Sequence, residues 1–236
     1  MDVARELVGS HATGPGWSGL VVANQQLAGR GRQGRPWHST GGALLATYVL
    51  CVEGGPAKLS GYSLACGVGL RRAMLGLGAR VQVKWPNDLV SSVGGRLKKV
   101  GGILIELEPF REFHCVLVGV GINIGSVPAD LADIATSVTD LRGSEVSVEQ
   151  VLQHVSQEVL ETHRRFVSTG GFSAFLEEWS QASCFRPGVT SIGIDTGAGE
   201  TRGTYQGVDA TGALVLRVNG ENRSFVSGHI TSIAAD

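Results

Sequence analysis

A pair of apolar strand runs in the middle of this 236-residue chain constrains its fold most. GGILIELE (101–108) and FHCVLVGVGINIG (113–125) read as antiparallel partners in a sheet. Further strands fall at 19–24 and at 43–52, and ARVQVKW (79–85) alternates until Pro86 stops it. A Gly-Gly turn at 94–95 precedes the apolar pair. DVARELV has the pattern of a short amphipathic helix, and 57–77 carries Leu59, Tyr62, Leu64, Ala65, Val68 and Leu75 at a helical spacing weakened by glycines. Ser147 and Gln150 form a capping box ahead of a helix running to about Val167. GFSAFLEEW is a second short helix with Phe172, Phe175, Leu176 and Trp179 inward.

After SCFRPG the texture changes. GVTSIGI, TRGTYQGV, ALVLRV, NRSFVSG and HITSI are short alternating strands punctuated by glycines. They predict a small β-barrel module, without the charged clusters of an active site. The expected division is a domain over 1–185 and a second over 186–236.

Composition narrows the function classes. Net charge is −1 and 42% of residues are hydrophobic, which suits a soluble protein with a proper core. This balance gives no global case for nucleic-acid or membrane binding. MDVARELVGS has no signal-like core, and ALLATYVLCV is too short to span a bilayer, so a cytoplasmic protein is expected. Cys51, Cys66, Cys115 and Cys184 lie far apart with no C-x-x-C, and read as reduced, mostly buried thiols.

GRGRQG (29–34) fits the dinucleotide fingerprint G-x-G-x-x-G. That reading fails on context, because no helix can open across Pro36, Gly41 and Gly42. Arg30, Arg32 and Arg35 with no acid between them instead suit bidentate clamping of a phosphate or carboxylate. A solvated basic loop is the bland alternative, and a single RG stretch is short for an RNA-binding segment. Trp37 adds a flat face that could stack on a base or belong to the core.

A second cluster decides between them. KWPND (84–88) presents Lys84, Asn87 and Asp88 together at a strand end. KKVGGILIE places Lys98 and Lys99 ahead of two glycines, and GVGIN (119–123) sets glycines beside Asn123 within an apolar strand. Glycine inside a strand often marks close approach by a ligand or another backbone.

QQLAGRGRQGRPW, KWPNDL, KKVGGILIE and GVGINI, in that order, resemble the biotin–protein ligase family over nearly the whole chain. The resemblance implies an α/β fold: a mixed sheet with helices on one side, related to class II tRNA synthetases, plus an SH3-like barrel. It implies ATP-dependent activation of biotin to biotinyl-5′-AMP, with Mg²⁺, and transfer to a lysine of a biotin carboxyl carrier domain. No nucleic-acid or membrane partner is implied, and a monomer or homodimer fits. Lys99 and Arg32 would be catalytic; Gln26, Arg30, Gly31, Arg32, Lys99 and Gly102 would meet biotin. Arg30, Arg32, Arg35, Trp37, Lys84, Asn87, Asp88 and Asn123 would meet ATP or the adenylate, with Asp88 a possible ligand of Mg-ATP. Gly102, Gly119, Gly121 and Asn123 would form a close-packed floor, and the loop glycines would be hinges.

The family's frequent N-terminal helix-turn-helix has no counterpart here, which points to the monofunctional ligases. Members usually carry Ser-Thr-Asn just before a segment like DVARE, so a truncated start lacking those biotin contacts is expected. Two other readings stand beside this one: a related acyl-adenylating enzyme such as a lipoate ligase, and a non-catalytic binder of biotin or its adenylate.

Overall fold

In chain order six strands precede the helices of residues 138–182 and five follow them, and a computed structural model describes residues 1–37 and 42–235. The apolar pair is the centre of a six-stranded sheet ordered β1-β2-β6-β5-β4-β3. Its strands are β1 (Ser18–Val22), β2 (Ala43–Val52), β3 (Gln82–Lys84), β4 (Asp88–Val93), β5 (Arg96–Phe110) and β6 (Phe113–Asn123). Every strand pair in it is antiparallel, where a mixed sheet was expected. Among the described residues, parallel pairing is confined to two isolated bridges, Val83↔Ser183 and Lys99↔Ala135. β4 was hidden in the sequence because its DLVSSV follows directly on the Pro86 turn and forms a hairpin with β5 through Gly94 and Gly95. The exclusion of a helix after Pro36 falls partly on residues 38–41, which lie outside the described residues.

Both faces of the sheet are covered. On one, Leu44, Ala46, Tyr48 and Leu50 of β2 alternate inward with Val116, Val118 and Val120 of β6. They pack with helices α2 (Tyr62–Gly76), α4 (Val148–Thr169) and α5 (Leu176–Ala182). A short helix α3 (Val138–Arg142), not foreseen, is capped by Ser137, whose Oγ accepts from the Asp140 N–H at 3.1 Å. Ser147 and Gln150 form the expected capping box on α4. The opposite face meets α1 (Asp2–His11), where Ala4 and Val8 pack on Val49, Cys51, Cys115 and Leu117. Helices therefore lie on two sides, not one. α1 has its apolar positions at helical spacing, and each fully buried aliphatic side chain contributes about 1.5–3 kcal/mol.

The cysteine expectation is corrected for one pair. Cys51 and Cys115 are joined by a disulfide, while Cys66 and Cys184 are free. The cause is register: Cys51 and Cys115 are direct cross-strand partners. Cys51 spends its N–H and C=O on the other side, on Trp17 and Gly16, so towards β6 it is a non-hydrogen-bonded position, where strands come closest. Pairing across 64 residues could not be read from spacing.

Beyond α5 the chain forms a second, five-stranded antiparallel sheet ordered β10-β9-β8-β7-β11. Its strands are β7 (Thr190–Asp195), β8 (Glu200–Val208), β9 (Leu214–Val218), β10 (Glu221–Phe225) and β11 (His229–Ala235), the five expected runs. Trp85, buried at the end of β3, donates through Nε1 to the Gly212 carbonyl at 3.1 Å and ties the sheets together. No helix among the described residues is long and apolar enough to cross a membrane.

Candidate active site

The glycines and charges that interrupt the strands converge on one cavity of about 250 Å³. The ends of β3 and β4, the start of β5, the middle of β2 and β6, and the arginine loop all contribute to it.

Lys99 reaches this cavity because β5 is irregular. Val90 pairs with Lys99 while Leu89 pairs with Gly101, so Val100 is an extra residue on one strand. Such a bulge re-aims side chains, here bringing Lys99 beside Gly102. A Cβ on Gly102 would lie 3.2 Å from Lys99 Nζ and 3.5 Å from Asp88 Oδ1. Lys99 Nζ and Asp88 Oδ1 are themselves 2.6 Å apart, both partly buried. The Lys99 backbone, unpaired with β6, is taken up by the 134–136 segment: its N–H bonds the Ile134 carbonyl at 2.8 Å, and its C=O accepts from Thr136 at 2.9 Å.

The arginine loop is a tight hairpin. The Gly31 N–H donates to the Arg35 carbonyl at 2.7 Å, the Trp37 N–H donates to the Gly29 carbonyl at 2.8 Å, and Arg32–Gly34 is a single 3₁₀ turn. The three arginines point to different partners. Arg30 Nη2 donates to Asp2 Oδ1 on α1 at 2.6 Å, which holds that carboxyl below its usual range. Arg35 Nη1 lies against the His229 ring, 3.1 Å from Nδ1 and 3.4 Å from Nε2. Arg32 is the more buried; desolvation pushes its pKa down, Asp88 pulls it back, and a guanidinium stays charged throughout. Arg30 and Arg35 are therefore not unengaged arms waiting for an anion.

Trp37 lies flat on β6. A Cβ on Gly121 would stand 2.7 Å from Trp37 Cζ2 and 2.8 Å from Cε2, so only glycine admits the ring. Lys99 Nζ sits 5.4 Å from the ring centroid, a cation–π contact. The indole Nε1 is buried and finds no acceptor among the described residues.

Gln26, Arg30, Gly31, Arg32, Arg35, Trp37, Lys84, Asn87, Asp88, Lys99 and Gly102 all line the cavity. Gly119 and Gly121 line it as well. Asn123 does not. Its amide is buried and donates to the Thr136 carbonyl at 3.2 Å, fastening β6 to the segment that supports Lys99. Asn87 also has a structural bond, donating through Nδ2 to the Ile103 carbonyl at 2.7 Å. Sequence reasoning missed Thr47, Met1 and His229, which line the same cavity. The Met1 methyl covers Gly119, 3.0 Å from where a Cβ would stand. Only the alternation of β2 could have flagged Thr47, and nothing in the short β runs could have flagged His229.

An antiparallel sheet with a cation-walled cavity, floored by glycines and roofed by an arginine hairpin, defines a site for activating or transferring a small anionic substrate. The Biotin/lipoate A/B protein ligase family model matches residues 13–123. The chain is 33% identical over 214 residues to the biotin–[acetyl-CoA-carboxylase] ligase of Paracoccus denitrificans, covering 86% of each. It is 31% identical to the bifunctional ligase/repressor BirA of Bacillus subtilis, over 85% of this chain and 62% of that one. The biotin protein ligase of Aquifex aeolicus, solved with biotin and ATP, shares the fold with a TM-score of 0.77. That match covers 98% of this chain and 94% of the other at 24% identity. This chain belongs to the biotin/lipoate protein ligase family, on its biotin–protein ligase side.

Proposed function

We propose that this chain is a biotin–protein ligase. The observation that carries the reading is the charge of the cavity wall. Arg30, Arg32, Arg35, Lys84 and Lys99 face a single carboxylate, Asp88, in a chain whose net charge is −1. Bringing the anionic biotin carboxylate against an anionic triphosphate calls for fixed positive charge and positioning more than for a proton donor.

In the first step a biotin carboxylate oxygen attacks the α-phosphorus of ATP, the bond to the β-phosphate oxygen breaks, and biotinyl-5′-AMP and pyrophosphate result. In the second, a lysine amine of a biotin carboxyl carrier domain attacks the biotinyl carbonyl, loses a proton, and AMP leaves. Lys99 and Arg32 are assigned to the reacting carboxylate and phosphate, Gln26, Gly31 and Gly102 to the biotin side, and Arg35, Trp37, Lys84, Asn87 and Asp88 to the nucleotide side. Arg30 serves the loop through Asp2 until ligand arrives, and Asn123 acts by supporting Lys99. Residues 1–185 form the catalytic unit and 186–236 a second module that closes one side of it; use of ATP and a carboxylase carrier goes with a cytoplasmic protein.

The wall residues also fit a divalent cation arriving with the nucleotide. Among the described residues no group of three or more His, Cys, Asp or Glu is arranged for a metal. Mg²⁺ is commonly held by one or two carboxylates plus substrate phosphates, and Asp88 is the carboxylate available. Bound there, Mg²⁺ would neutralise charge on the phosphates.

Biotin-dependent exchange of labelled pyrophosphate into ATP, followed by labelling of a carrier domain, tests the reading. Exchange without labelling favours a binder or an enzyme with another acceptor; exchange driven by lipoate and not biotin overturns the substrate.

A further inference from the structure

Gly228, His229 and Ile230, at the start of β11, reach the cavity from the second sheet. Their placement follows from local packing. A Cβ on Gly228 would stand 2.7 Å from Ile194 Cδ1 and 3.1 Å from the Asp195 carbonyl oxygen, so glycine lets β11 press onto β7. His229 is then fixed opposite Asp195 and meets Arg35 of the hairpin, 194 residues away in sequence.

Arg35 Nη1 lies 3.1 Å from Nδ1 and 3.4 Å from Nε2 of His229, so the guanidinium sits across the imidazole, and a cation this close favours the neutral ring. Partial burial, then Arg35 and Lys84, hold the His229 pKa below its ordinary value, while Asp195 and Asp88 oppose them. The charged groups facing the ring are thus Arg35 on the hairpin, Lys84 on β3, Asp88 on β4 and Asp195 on β7. The contact is exposed, so it contributes little to the stability of the empty protein.

We propose that His229 is a binding residue for the nucleotide polyphosphate, supplied by the second sheet and held ready by Arg35. This rests on the reading of the cavity as an ATP site. A polyphosphate beside Arg35 and Lys84 replaces a cationic surrounding with an anionic one, which favours the imidazolium. The ring takes a proton from solvent, Arg35 turns its fork to phosphate, and the imidazole N–H donates to a phosphate oxygen.

The test is calorimetric titration with the α,β-methylene analogue of ATP and Mg²⁺, in the presence of biotin, for the parent, His229→Ala and His229→Gln. At about pH 6.5 both variants should bind about 10-fold more weakly than the parent, with biotin affinity and thermal midpoint unchanged. Parent affinity should fall as pH rises towards about 8.5, with net proton uptake on binding, and both features should vanish in the variants. Variants within about twofold of the parent at the lower pH, or a pH dependence that survives in both, overturn the proposal. Because the analogue is bound and not turned over, this result stands whether or not the protein ligates. Absence of biotin-dependent exchange in the parent would instead sink the ligase reading alone.

Discussion

Lys99 and Asp88 stand on neighbouring strands with their charged atoms 2.6 Å apart, and the extra residue Val100 is what turns them to one side of the sheet. An ion pair this accessible gives only about 0–1 kcal/mol to the fold, so its value lies in holding an ammonium at the cavity. Lys99→Ala should therefore lower biotin-dependent exchange by about 10²–10³-fold while the thermal midpoint moves by no more than about 3 °C. Asp88→Asn should act mainly on the KM for Mg-ATP. Lys99→Ala activity within about threefold of the parent would remove Lys99 from the reacting centre.

Gly121 and Gly119 make a second, graded test. A methyl on Gly121 meets the Trp37 ring edge at 2.7 Å, whereas one on Gly119 first meets the Met1 Cε at 3.0 Å, the end of a flexible chain. Gly121→Ala should cost about 1–3 kcal/mol by overpacking and weaken biotin binding about 10-fold or more by displacing Trp37. Gly119→Ala should do less on both counts. Calorimetry and denaturant midpoints on the two variants check the order, and the reverse order would show that Trp37 is not held as described.

The strands and long helices were legible because each announces itself locally. β2, β5 and β6 are apolar runs, and α4 opens on a side-chain cap. What stayed hidden depends on pairing between distant segments. The bulge at Val100 aims Lys99, the β2–β6 register brings Cys51 to Cys115, and contact between the two sheets brings His229 to Arg35. The resemblance carried Asn123 to the nucleotide side of the cavity, yet the carbonyl of Thr136 claims its amide. Motif order located the site; register decided which side chains enter it.

The cross-strand cystine predicts a thiol count. Denatured, unreduced protein should yield two reactive thiols per chain, Cys66 and Cys184, and four after reduction. Closing 64 residues should contribute about 2–4 kcal/mol by restricting the unfolded chain. Reduction should then lower the thermal midpoint by roughly 5–15 °C. Four thiols before reduction would show that the pair is left as dithiol, with the register unchanged.

Tyr62 and His163 predict an acid limb of stability. The Tyr62 hydroxyl lies 2.7 Å from His163 Nδ1, between α2 and α4, and its ring packs edge-on against Phe166. With the hydroxyl donating, the imidazole is neutral, and burial pushes its pKa down to about 4. In the unfolded chain the same histidine titrates near about 6.5. Above that value neither state binds the proton and nothing is lost. As pH falls from about 6.5 towards 4, the unfolded chain takes the proton and the folded one does not, so stability falls across that window. The full shift would be worth roughly 3 kcal/mol, and the partial exposure of the ring reduces the expectation to about 1–2 kcal/mol. His163→Gln keeps an acceptor for Tyr62 and does not titrate, so its urea midpoint should decline less between pH 7 and 4.5 by that amount. Parallel declines in parent and variant would mean that His163 protonates in the folded protein without leaving Tyr62's side, and that the acid limb arises elsewhere.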